Sequence, residues 1–155
     1  MGIKDTLVHT VADIVVERPG RAKTLDQWAT ALEKSGQAID QRAAAAKNPE
    51  RAQAVLRHNS GIERWGQTRL RVFLGAPVVR DEYDSYQPGT DLSLDGQRAA
   101  FGETRRETID LVRQLQQANV PDDATVMHND FGPLTVRGWL RYLDMHATIE
   151  SKKFW

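Results

Sequence analysis

The chain has 155 residues, with 21 basic and 21 acidic side chains and a formal net charge of zero. That length suits a single domain, 1–155, whose core needs no staples, and the charge balance excludes nucleic acid as an expected partner, since phosphate binding runs on a clustered positive excess. Cysteine is absent, which removes disulfides, thiolate ligands and a cysteine nucleophile and leaves His, Asp and Glu to hold any metal.

No stretch approaches the ~20 apolar residues of a membrane span, and the N-terminus lacks a basic start followed by a long apolar run. A soluble, cytoplasmic protein without membrane partners is expected. Ile3, Leu7, Val11, Ile14 and Val15 recur at roughly helical spacing and stop at Pro19-Gly20, which predicts a short N-terminal helix or docked arm over 3–16.

Thr24-Leu25-Asp26-Gln27 matches a capping box, in which the threonine oxygen and the glutamine side chain satisfy orphan backbone donors. A long helix follows, with Leu25, Trp28, Leu32 and Ile39 on one side, ending near Lys47. Asn48-Pro49 is a stop and a restart, asparagine being a good N-cap and proline tolerated at the first helical position. The next helix, Pro49 to about Leu74, should pack antiparallel to it and places Val55, His58, Ile62, Trp65 and Phe73 near one face. Gly75-Ala76-Pro77 ends that helix, and Val78 to Thr90 reads as an unusually long connection, either an interaction surface or a lid.

A third helix is expected from about Leu94 to Ala118, with Phe101, Thr108, Leu111, Val112 and Leu115 inward. Pro121 to Gly132 reads as a second loop, carrying His128 and Asp130 as lesser site candidates, and Thr135 caps the last helix. No strand alternation is evident. Val136, Trp139, Leu143, Ala147 and Phe154 then form one apolar stripe, and His146 and Glu150 fall within it at i and i+4. The fold expected from these elements is all-α, a four-helix bundle with a short N-terminal helix or arm.

Bundles build metal sites from side chains on facing helices. Here His58 on the second long helix, with His146 and Glu150 on the fourth, makes a three-point set for zinc, nickel, iron or manganese that leaves room for water or substrate. Such a metal lowers the pKa of a bound water or activates a thiolate. The plainer alternative is two core histidines with satisfied hydrogen bonds and a Glu150 paired to Lys153 at i+3. Tyr142, one turn before His146, is placed to orient it or simply to pack.

Leu56-Arg57-His58, Gly61-Ile62-Glu63-Arg64-Trp65-Gly66 and the run His128 to Leu140, together with His146, resemble the DinB/YfiT-like superfamily. The resemblance implies an up-up-down-down four-helix bundle, usually a homodimer, often with a divalent metal on three histidines. His58 maps to the first of these and His146 to the second. Glu150 stands where the family has the third, and a carboxylate there lowers the charge and the Lewis acidity of the site. The activities implied are transfer of a small thiol to an electrophile, the thiol serving as cofactor, or hydrolysis of a small-molecule substrate. The competing reading is a non-catalytic dimeric binding or stress-response protein of the same fold with a degenerate metal site.

Overall fold

The computed structural model describes residues 2–155. Its helices are α1 (Ile3–Ala12), α2 (Arg18–Arg21), α3 (Leu25–Ala44), α4 (Pro49–Val72), α5 (Leu94–Gln117) and α6 (Val136–Ser151), and strands β1 (Thr125–His128) and β2 (Gly132–Thr135) precede the last helix. The chain is mostly helical, in line with the all-α expectation.

Capping residues set the helix starts. Thr24 Oγ1 accepts the Gln27 N–H while Gln27 returns its side-chain oxygen to the Thr24 N–H. Asn48, Ser93 and Thr135 cap α4, α5 and α6 through the N–H groups of Arg51, Gly96 and Gly138, each side chain satisfying a donor that has no partner within its own helix.

α3 and α4 each pack chiefly along α5 and α6. Asp40 meets Arg98 and Ser35 meets Arg105, so α3 and α5 run antiparallel. Ser35 reaches Asp144 and Arg42 reaches Ser151, so α3 and α6 run the same way. His58 meets His146 and Gly66 meets Leu143, which sets α4 against α6. The directions along the chain are therefore up-down-down-up, a correction to the expected up-up-down-down order. The short turn before Asn48 reverses the chain at once, and the long connection after α4 carries it back to the end at which α4 began. α4 is antiparallel to α3 as expected, but its principal neighbours are α5 and α6.

The core falls into two apolar clusters. The larger gathers Trp28, Leu32, Trp65, Leu70, Leu111, Leu115, Trp139 and Leu143; the smaller gathers Ile39, Ala43, Leu56, Phe101, Ala147 and Phe154. Near the boundary between them every long helix carries a polar residue: Ser35, Glu63, Arg105 and Asp144. Arg105 and Glu63 are 3% and 1% exposed, and the guanidinium grips the carboxylate at two points, Nε to Oε1 at 2.7 Å and Nη2 to Oε2 at 2.9 Å. Thr108 donates to the same carboxylate, Arg105 Nη1 donates to the Leu32 carbonyl and to Ser35, and Ser35 donates to Asp144. One layer of charge-assisted bonds thus ties all four helices at a single level.

Two expectations are corrected. Residues 125–135 form an antiparallel hairpin rather than a loop, pairing Thr125 with Thr135 and His128 with Gly132; the strands are only four residues long, too short for alternation to declare itself. The N-terminal helix does not stop at Pro19-Gly20. It passes through a π turn, Asp13–Glu17, into α2, where proline sits in the first turn and needs no N–H donor. The arm is fastened at this end. Glu17 is buried and accepts from Thr135 N and Thr135 Oγ1 at 2.7 and 2.8 Å, at the start of α6, where a helix N-terminus favours a carboxylate. Gly20 lies so close that a Cβ there would sit 2.7 Å from the Arg137 carbonyl oxygen. The remainder, residues 2–11, is exposed throughout.

Breaking a buried ion pair by removing one partner leaves the other charge uncompensated, whereas replacing both with apolar groups is tolerated. Arg105→Met is expected to lower the unfolding free energy by about 3–5 kcal/mol and Arg105→Met with Glu63→Leu to recover most of it. Urea titration of the two variants measures both.

Candidate metal and ligand site

The antiparallel run of α4 past α6 brings His58 and His146 face to face. Their Nε2 atoms are 3.2 Å apart and the ring centroids 5.1 Å apart. One step along, the Asn59 side chain donates to the Ala147 carbonyl at 3.3 Å. The helices approach closely there because Gly66 has no side chain; a Cβ would fall 2.6 Å from a Leu143 methyl. Tyr83, in the 3-10 turn Tyr83–Tyr86 of the long connection, stands edge-on to His58 at 5.0 Å.

Burial pushes His146 down to about 4, with the neighbouring His58 imidazole adding to the effect. Burial also lowers His58, partly offset by the Glu150 carboxylate. Both rings are therefore neutral at pH 7, the form in which imidazole ligates a metal. His146 Nδ1 is buried without a hydrogen-bond partner among the described residues.

Glu150 lies on the same face but its carboxylate is held by Lys153, at 2.7 and 2.8 Å. Burial works to raise this carboxyl, and the Lys153 ammonium outweighs it and holds the group below its ordinary value. The structure thus brings two of the three sequence-predicted ligands together and gives the third to an i,i+3 ion pair. Among the described residues no group of three or more His, Asp or Glu side chains is assembled at metal-holding distance.

His128, on β1, is 2% exposed. Its Nδ1 accepts the backbone N–H groups of Asp130 and Phe131 at 3.0 and 3.2 Å, which assigns its proton to Nε2. Trp65, Phe131, Trp139 and Tyr142 surround the ring with centroids 4.3–5.2 Å away. Burial lowers its pKa to about 4, and the Arg69 charge acts in the same direction. Tyr142 is closer to His128 than to His146, at 4.3 against 5.9 Å, so it packs on the hairpin histidine. Asp130 is exposed.

Arg69 and Asp81 were not signalled by spacing. Arg69 is 2% exposed, lies over the Trp65 ring with its guanidinium carbon 4.3 Å from the centroid, and bonds Asp81 Oδ1 at 2.7 Å and the Asp81 carbonyl at 3.1 Å. Trp65 Nε1 and the Asn129 side chain donate to that same carbonyl, and the Tyr86 hydroxyl donates to the Asp81 carboxylate. Asp81 is the clasp that fixes the long connection against α4 and the turn of the hairpin. The available clue was that Arg69 stands at i+4 from Trp65 on the inward face.

No protein-family model matches the chain, and neither a curated protein nor a solved structure matches it. The functional reading consequently rests on the geometry and on the sequence resemblance. Among the described residues no helix is long and apolar enough to cross a membrane.

His128 and His146 both titrate near 4 when folded against 6.5 when free, so the unfolded chain takes up their protons first as pH falls. Stability held above pH ~6.5 should drain away as the pH drops towards ~4. His128→Asn keeps an oxygen where Nδ1 accepts and removes the titrating ring. It should flatten the fall in urea midpoint over that window; an unchanged slope would show that His128 does not titrate as assigned.

Proposed function

We propose that the chain is a divalent-metal-dependent enzyme of the DinB/YfiT-like type, a four-helix bundle in which His58, His146 and Glu150 hold the ion and a small thiol or a water is activated for transfer to, or hydrolysis of, a small molecule. The observation that carries this reading is the 3.2 Å separation of the two Nε2 atoms. Two imidazoles bound tetrahedrally at 2.0–2.1 Å stand roughly 3.3 Å apart across the ion. Both rings are neutral, and both offer the same nitrogen to the same point.

Glu150 fits as the third group by exchanging the Lys153 ammonium for a divalent cation, since its position at i+4 from His146 keeps it on the ligand face. A bound metal would supply Lewis acidity and a lowered pKa for a water or thiol. The chain's own residues do the rest: Tyr83 covers His58 from the long connection, Asp81 fixes that connection, and the Glu63–Arg105 layer beneath holds α4 and α6 in register. A homodimer accompanies this reading through the resemblance alone.

The Glu150–Lys153 pair favours a second reading, a non-catalytic binding protein of the same fold whose metal site has decayed. Thermal denaturation in the presence of Zn2+ or Ni2+ separates the two. For the enzyme, metal at a hundred times its dissociation constant should add about 2.7 kcal/mol of stability, His58→Ala should abolish the shift and Glu150→Gln should weaken it. A wild-type midpoint that ignores every divalent metal offered would leave the binding-protein reading standing.

A further inference from the structure

The N-terminal arm carries its apolar stripe on the side turned away from the bundle. Ala12 and Val16 are buried, and the His9 ring lies over Gly132, 3.1 Å from where a Cβ would stand. With ~3.6 residues per turn, the side opposite these presents Ile3, Leu7, Val8, Val11, Ile14 and Val15. Every one of the six is exposed, Ile3 to 90%, Leu7 to 63% and Ile14 to 53%. A surface helix ordinarily turns such a stripe to the core, as α3, α4, α5 and α6 do. Together the six present roughly 500 Å2 of apolar surface, a size at which a patch on a single chain is often functional.

The chemistry of the arm narrows what can cover it. Residues 2–21 carry three acidic and three basic side chains, so the arm has no excess charge with which to draw an anionic membrane, whereas helices that lie in that interface are rich in Lys and Arg. Leu7 and Ile14, and likewise Val8 and Val15, stand seven residues apart, the repeat with which one helix seams against another. Among the described residues α1 is the only helix that leaves such a stripe free; Ile149 is a single exposed aliphatic on α6. The partner helix that this chain itself supplies is therefore α1 of another copy.

Two arms packed stripe to stripe withdraw about 1,000 Å2 in total, the lower bound for a specific interface. A two-fold pairing requires one surface to be complementary to itself, and an uncharged aliphatic stripe meets its own copy without repulsion.

We propose that the arm is a self-association surface, on which α1 and the π turn of one copy pack against the same segment of a second copy to form a two-fold dimer. Glu17 on Thr135 and Gly20 against Arg137 fix where the stripe stands on the bundle. The resemblance implies a dimer but no face for it, and this interface forms whether or not a metal is bound.

Sedimentation velocity of the full-length, metal-free protein over a range of concentrations tests the assignment. The wild type should be dimeric at about 100 μM and dissociate on dilution, as an interface of this size does. Leu7→Glu with Ile14→Glu sets carboxylates against their symmetry mates and should raise the dissociation constant about a hundredfold or more, with the far-UV circular dichroism unchanged because both positions are exposed in the single chain. The milder Leu7→Ser should weaken the dimer about tenfold, and Ile149→Glu should leave it intact. Flotation with phosphatidylserine vesicles should leave the wild type unbound. A wild type that stays monomeric, a dimer indifferent to both Leu7 variants, a dimer lost on Ile149→Glu, or vesicle binding that Leu7→Ser removes would each overturn the proposal.

Discussion

The bidentate contact between Arg105 and Glu63 is the constraint on which the rest of the structure depends. Neither charge reaches water, so each needs the other in good geometry, and an Arg fork meeting a carboxylate admits little sliding or rotation. Apolar packing alone tolerates shifts between helices more readily than a satisfied polar layer does. Ser35 and Asp144 extend the same constraint to α3 and α6. The two core clusters above and below then have their depth fixed by a level neither of them sets.

The histidine pair inherits its geometry from that layer. His58 lies five residues before Glu63 and His146 two residues after Asp144, so both are within about a turn and a half of groups whose positions are pinned. Gly66 lets α4 and α6 close to the distance at which two imidazoles share a point. The long connection, clasped through Asp81, then sets Tyr83 against His58. A chain of cause runs from a buried ion pair through helix register to two neutral nitrogens with a common focus.

Much of this was legible in the sequence, because caps and apolar periodicity are local signals. Thr24, Asn48 and Thr135 stand where their backbone acceptance requires, Trp28, Trp65 and Trp139 are buried as their spacing implied, and His58 and His146 face one another across two helices. What escaped was non-local. The Glu63–Arg105 pair was not signalled, since nothing in either neighbourhood announces a partner 42 residues away. The hairpin was hidden by its brevity and by Pro133, which sits on the side of a two-stranded edge that needs no donor. Helix direction depended on where the connection 73–93 delivers the chain, which periodicity cannot express. The fate of Glu150 turned on one lysine three residues on, an alternative visible in the sequence that geometry at a chain end decides.

The central claim, that α4 and α6 focus two imidazole nitrogens on one point able to hold a cation, is tested most directly by anomalous diffraction from crystals grown with Zn2+ or Ni2+. The account predicts a single strong peak within about 2.1 Å of both His58 Nε2 and His146 Nε2, with the Glu63–Arg105 layer intact beside it. Crystals in which the two rings remain in direct contact with no metal between them at saturating concentration would contradict it.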